Sequence, residues 1–280
     1  MKIDVICPLY NGRDYIEKIY NQVMMQENVV INELKFILTD TNDGSEEILN
    51  ELKVPYKKIS KSEFSHSLTR ENAVYESKAD IIAFITQDVV IESKEWLYNL
   101  TKDIISKKVS AAYSRQITKY DNIEKYTREK NYPAKSFVKS KKDIDKMGLN
   151  TFFFSDASSA IDVETFKKLN GYDNKNLPTN EDMYYAYKLI MNDKKIKYCA
   201  NSVVYHSHNF TLKELYDRYK LTGRFFKENT FINNFGTTSS GGGMAKYVLK
   251  RILKDKRIDL LIRYPFDMAV RFIGMRVGEN

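Results

Sequence analysis

The chain has 280 residues, enough to bury most of its apolar surface in one large α/β domain or in one domain with a helical appendage, a length that argues against two equal domains. Its two cysteines, Cys7 and Cys199, supply no disulfide framework and suit a reducing compartment, and no apolar run approaches the roughly 20 residues needed to span a bilayer. A net charge of +8 and an isoelectric point near 9.1 favour acidic partners, whether nucleic acid, anionic lipid or a phosphorylated substrate, without choosing among them.

Ile3 to Leu9 reads as a buried strand, and Tyr10-Asn11-Gly12 turns the chain into a helix with Tyr15, Ile16, Ile19, Tyr20 and Val23 at helical spacing. Too few apolar residues lie between Lys2 and Pro8 for an export segment, so a cytosolic location is expected. Only Gly12 lies in the first turn; the Gly-rich dinucleotide fingerprint is absent, which argues against a nicotinamide or flavin enzyme. A second strand, Leu34 to Thr39, ends at Asp40, and Asp43-Gly44-Ser45 turns into a helix opened by Glu46 and Glu47, acids that face the positive end of its dipole. A short strand at Tyr56 to Ile59 precedes the polar stretch Phe64 to Arg70, which runs into a helix. The apolar run Ile81 to Ile85 then stops at Thr86-Gln87-Asp88, as a buried parallel strand does when it delivers a carboxylate to the sheet's C-terminal edge, where open α/β sheets bind ligands. The alternation of strands and helices predicts a parallel sheet.

Beyond Asp88, Lys94 to Ile105 is an amphipathic helix and Val109 to Tyr113 a short strand. Tyr120 to Lys146, rich in Lys and Tyr, reads as a mobile or acceptor-facing insertion or as a solvated helix. Phe152 to Ile161 reads as a strand entering a tight site, with small residues that admit a ligand close to the backbone. Gly171 marks a turn, Glu181-Asp182 opens a helix through Leu189, and Ile196 to Val204 leads to His206 and His208. On a strand these two histidines share a face, and one of them is expected as a metal ligand.

The ordered set CPLYNG, Asp40, FSHSLTRENAV, ITQDVV, FSDASSA, NEDM and VYHSHNF, spanning residues 1–210, resembles the family 2 glycosyltransferases of GT-A fold, and within them the bacterial rhamnosyltransferases of cell-wall, capsule or O-antigen polysaccharide. The resemblance implies a Rossmann-like, mostly parallel central sheet with flanking helices, its nucleotide-sugar side at about residues 1–115 and its acceptor side at about 116–210. A sugar leaving a nucleoside diphosphate builds negative charge that a divalent cation and basic side chains stabilise. Asp88 is the expected holder of Mg2+ or Mn2+. Thr86 stands where the family's Asp-X-Asp pattern has its first acid, so binding relies on Asp88, water and the diphosphate, with His206 or His208 completing the shell. By the same resemblance Arg70, assisted by His66, faces the diphosphate, although Glu71 follows where related chains often carry Asn. Pro8, Tyr10, Asn11, Asp40 and Gln87 match the nucleotide pocket, Asp156 contacts donor sugar or acceptor, Asp182 is the base of an inverting displacement, and Glu181 orients the acceptor or caps its helix. The implied donor is dTDP-rhamnose, with a UDP-sugar as the alternative.

Leu212 to Glu228 is a further helix, and Thr237 to Gly243 (TTSSGGG) reads as a flexible break. Met244 to Val277 carries nine Lys or Arg against three Asp, interleaved with apolar residues. That composition predicts a basic amphipathic hairpin, broken near Pro265, over an extension of residues 211–280. It suits peripheral docking on the inner face of the cell membrane, where a polyprenyl-diphosphate-linked glycan acceptor waits, or packing on the core or on a second subunit of a homodimer. No nucleic-acid motif or basic groove appears outside this tail, so nucleic acid is not an expected partner. Thr86 leaves room for an inactive, partner-binding relative; intact Asp88, Arg70 and Asp182 argue for an enzyme.

Overall fold

A computed structural model describes residues 1–280, the side chains of residues 237–240 excepted. The first half alternates as expected: β1 (Ile3–Leu9), α1 (Arg13–Met24), β2 (Ile31–Thr39), α2 (Ser45–Glu51), β3 (Tyr56–Ile59), α3 (His66–Glu76), β4 (Ile81–Ile85) and α4 (Trp96–Ile105). There follow β5 (Ala111–Ile117), α5 (Ile123–Asn131), β6 (Phe137–Lys139), α6 (Ile144–Met147), β7 (Ser158–Asp162), α7 (Val163–Lys168), α8 (Glu181–Met191) and β8 (Ile196–Tyr205). The chain ends in α9 (Leu212–Glu228), α10 (Thr230–Asn233), α11 (Thr237–Lys254) and α12 (Ile258–Glu279).

The strands form one sheet in the order β3-β2-β1-β4-β7-β5-β8-β6. Strands β1 to β4 run parallel, as do β5 and β8, while β7 and β6 run antiparallel to their neighbours. Period-two alternation sorts the core into two layers: Ile81, Ala83 and Ile85 pack with α1, α2 and α4 on one face, whereas Ile82 and Phe84 pack with α3, α7 and α8 on the other. The C-terminal ends of β1, β2, β4, β5 and β8 therefore meet at one edge.

A bulge in β8 aims that edge. Ser114 pairs with Cys199 but Arg115 pairs with Val203, so three residues of β8 bow out before pairing resumes. Tyr205 and Val90 then exchange backbone hydrogen bonds of 2.9 Å each, which ties the loop after Asp88 to the end of β8.

Several expectations are corrected. The strand read from Phe152 is confined to Ser158–Asp162, because Gly148–Phe152 forms a 3-10 turn that buries Phe152 under Tyr187 and Phe235. Residues 120–146 are neither a mobile insertion nor a solvated helix: Ile123 and Tyr126 of α5 are buried against Val248, Ile252, Leu260 and Tyr264 of the tail, and β6 closes the sheet. Thr237 to Gly243 lies inside helix α11, not in a break. The hairpin turns at residues 255–257, where Asp255 and Lys256 bond back to Arg251 and Leu253, and Pro265 lies within α12. Pro265 is exposed, on the side where water can satisfy the carbonyl that its ring leaves unbonded.

Candidate active site

The motif FSHSLTR builds the site from its serines. Ser65 caps α3 by accepting from the Leu68 amide at 3.3 Å and donates to Asn176 Oδ1 at 2.8 Å; Ser67 accepts from the Leu177 amide at 2.8 Å. These bonds hold the loop that delivers α8. Glu71, next in the motif, is buried and accepts from the Tyr172 amide at 2.7 Å, which pins the turn at Gly171. Arg70 is no surface arginine: only 3% exposed, it pairs with buried Glu181 at 3.2 Å and donates to the His66 carbonyl at 2.8 Å. Its Nε, also buried, has no hydrogen-bond partner among the described residues.

A cleft of about 480 Å³ opens at the sheet edge, lined by Pro8, Tyr10, His66, Arg70 and Gln87 of the expected donor residues. Gln87 clamps the β1 loop, accepting from the Tyr10 amide at 2.8 Å and donating to the Tyr10 carbonyl at 3.0 Å. Asn11 and Asp40 stand outside this lining: Asn11 accepts from Thr41 Oγ1 at 2.5 Å, and exposed Asp40 pairs with Lys58 at 3.2 Å. Lys61 and Phe64 also line the cleft, and Lys61 lies 5.3 Å over the Tyr10 ring. The sequence reading missed Lys61, which stands just before the motif it recognised.

Asp182 sits half-buried at the N-terminus of α8. One oxygen accepts from the Met183 amide at 2.7 Å and the other from the Asp156 amide at 3.4 Å. Burial, reinforced by the neighbouring Glu181 and Asp156 carboxylates, pushes its carboxyl well above the usual range, which makes it a stronger base than an exposed aspartate. Asp156 lies beneath it, buried, its two oxygens taken by Ser159 Oγ at 2.6 Å and Tyr172 OH at 2.9 Å. The Asp156 carboxylate thus faces the protein, and its backbone faces Asp182.

Asp88, His206 and His208 converge, their ligating atoms all within 4.8 Å of one another. Asp88 Oδ2 lies 3.2 Å from His206 Nε2 and 3.9 Å from His208 Nδ1, so the arrangement offers both rings where one was expected. Burial works against the Asp88 charge, but its contacts with His206, Thr86 and His208 outweigh it and hold the carboxyl below its usual range. Burial lowers both histidines, His208 to about 4, so both rings are neutral at pH 7 with lone pairs free to ligate. One carboxylate and two imidazoles form a donor set that fits a divalent cation with positions left for water and phosphate oxygens. His206 Nδ1 meets Gln116 Oε1 at 2.9 Å, Arg128 donates to the same oxygen at 2.6 Å, and Gln116 donates to Ser155 Oγ at 2.8 Å. Adjacent residues Ser155 and Asp156 therefore join the metal-ligating cluster to Asp182.

A family model described as glycosyl transferase family 2 matches residues 4–169. The chain belongs to that family. The O-antigen chain rhamnosyltransferase RfbN of Salmonella typhimurium is 30% identical over 291 residues, covering 100% of this chain and 90% of the relative. The O-antigen chain rhamnosyltransferase WbaN of Salmonella anatum is 32% identical over 79% of this chain and 71% of its own length. Among solved structures, the mannosyltransferase PcManGT of Pyrobaculum calidifontis superposes with a TM-score of 0.64 at 12% identity, covering 99% of this chain and 85% of that one. Residues 1–349 of TarS from S. aureus superpose with a TM-score of 0.54 at 14% identity, covering 100% and 90%. These likenesses carry the GT-A fold expected from the motifs. This family 2 glycosyltransferase moves a sugar from a nucleotide donor to a glycan acceptor, and Asp182, His206 and His208 lie beyond the span of the family model.

Proposed function

We propose that this enzyme is an inverting transferase of L-rhamnose from dTDP-rhamnose to a hydroxyl of a polyprenyl-diphosphate-linked glycan. The observation that carries the proposal is the junction at Ser155–Asp156, which couples a strongly basic carboxylate to a divalent-cation cluster across one cleft edge. Support for rhamnose comes from the two relatives that are themselves O-antigen chain rhamnosyltransferases.

In this reading residues 1–210 carry the chemistry. The half of the cleft built by Pro8, Tyr10 and Gln87 takes the base, and Arg70 supplies positive charge from the cleft wall, with neutral His66 beside it. Asp182 accepts the proton of the acceptor hydroxyl while the hydroxyl oxygen forms a bond to the anomeric carbon and the bond to the diphosphate breaks. Two backbone N–H donors offset part of the cost of ionising Asp182, whose carboxyl burial and the neighbouring acids raise well above its usual range. Asp88, His206 and His208 would hold a divalent ion, which would supply positive charge to the departing diphosphate.

The tail is assigned to an anionic membrane surface on the cytoplasmic side. No described helix is long and apolar enough to cross a membrane. Along α12, however, Ile258, Ile262, Phe266, Ile273 and Val277 are exposed and recur at helical spacing on one side, with Leu253 of α11 exposed as well and lysines at 250, 254 and 256.

Turnover of a panel of nucleotide sugars, with Mg2+ or Mn2+ and then with chelator, tests the donor. Metal-dependent consumption of dTDP-rhamnose is the expected result. Preference for a UDP-sugar keeps the mechanism and overturns the sugar.

A further inference from the structure

A glutamine that no sequence motif marks, Gln116, lies against one of the histidines of the cluster. Gln116 lies near the end of β5 and is 2% exposed; Arg128, one helix later on α5, is 8% exposed. Arginine has no acceptor atom, so the group that Gln116 turns toward Arg128 must be its carbonyl oxygen. The amide nitrogen then faces Ser155 Oγ, at 2.8 Å. Gln116 Oε1 receives Arg128 on one lone pair and lies 2.9 Å from His206 Nδ1 on the other. Two acceptors cannot share that short contact, so Nδ1 carries a proton and donates it. With its Nδ1–H held by Gln116, the ring turns Nε2 toward Asp88, 3.2 Å from Oδ2.

We propose that Gln116, oriented by Arg128, is a positioning residue that fixes His206 as its Nδ1–H tautomer and so presents Nε2, together with Asp88, to a divalent cation. The inference rests on the metal-dependent reading given above. It assigns β5 and α5 a share in the metal site although neither contributes a ligand. Metal-ligating histidines are commonly held by an acceptor on the far ring nitrogen, and loss of that acceptor typically weakens metal affinity 10–100-fold.

The test uses the full chain without donor or acceptor and reads Mn2+ binding by electron paramagnetic resonance, alongside the 15N shifts of His206 at about pH 8, above the ordinary imidazole range. Gln116→Leu, which removes the acceptor and keeps the bulk, is expected to lose Mn2+ affinity by about 10–100-fold and to show His206 shifting toward the Nε2–H form. Gln116→Glu, which accepts from both Arg128 and the ring, is expected to bind Mn2+ at least as tightly as the wild type, with the Nδ1–H signature retained. A purely structural role would lower both variants together. Wild-type protein showing Nε2–H at His206, or Gln116→Leu binding Mn2+ like the wild type, overturns the inference and leaves the metal reading standing. Wild-type protein that takes up no Mn2+ while His206 is Nδ1–H overturns the metal reading, and the inference falls with it.

Discussion

At the scale of single residues, the site is a set of buried ionisable groups held in unequal protonation states. All three histidines of the chain, His66, His206 and His208, belong to it, and burial lowers each of them, His66 and His208 to about 4. An unfolded histidine titrates near roughly 6.5. With the folded value below the unfolded one, the unfolded chain binds more protons between those limits, so stability present above roughly pH 6.5 is lost as pH falls toward 4. Melting temperature measured across that window should fall with acidification, and the fall should shrink in His208→Asn; a flat profile would contradict the buried, neutral histidines. The residues legible from the sequence were those inside ordered motifs, namely Asp88, Arg70, Asp182 and the two C-terminal histidines. Gln116 and Arg128 were not legible, because Gln116 meets His206 across 90 residues only after the sheet brings β5 beside β8, and Arg128 reaches the histidine only through Gln116. Glu181 was expected at the acceptor or as a helix cap; its partner, Arg70, stands 111 residues away and no local pattern announces the pair.

Among the elements, most strands and helices were visible from apolar periodicity, and the failures share one cause. Thr237 to Gly243 has the composition of a linker, yet α11 runs through it, since tertiary packing of Val248 and Ile252 against α5 outweighs poor local propensity. Pro265 looked like a helix end because an interior proline forfeits a hydrogen bond, a loss that is tolerable on an exposed face. The glycines of the tail show where packing decides. A Cβ at Gly278 would lie 2.0 Å from the Lys220 carbonyl oxygen, and one at Gly274 would lie 2.6 Å from that of Tyr216, so α12 and α9 touch backbone to backbone. A Cβ at Gly242 would meet nothing within 4 Å among the described residues. Gly278→Ala should therefore destabilise by about 1–3 kcal/mol through overpacking, whereas Gly242→Ala should stabilise by up to about 1 kcal/mol through helix propensity. Denaturant titration of the two variants checks the opposite signs, and equal effects would contradict the close α9–α12 approach.

For the whole molecule, the strand order and the two reversed strands were beyond reach of the sequence: periodicity shows that a segment is a strand, not which neighbour it pairs with. What emerges is a sheet whose catalytic edge is braced by the tail, since α11 packs on α5, and α5 carries Arg128. The same tail leaves the apolar side of α12 open. The double variant Ile262→Asp, Phe266→Asp should lose flotation with anionic vesicles while keeping its melting temperature; unchanged flotation would remove the membrane assignment without touching the chemistry. The proposed chemistry divides its labour between Asp182, assigned to take a proton, and Asp88, assigned to help hold a cation. The most direct measurement is turnover of the preferred nucleotide sugar, with donor and Mn2+ binding measured in parallel, for Asp182→Asn and Asp88→Ala. Asp182→Asn should bind both ligands as the wild type does and turn over about 10²–10⁴-fold more slowly, while Asp88→Ala should lose Mn2+ binding and metal stimulation together. Wild-type turnover in Asp182→Asn, or undiminished metal stimulation in Asp88→Ala, would contradict the division of roles.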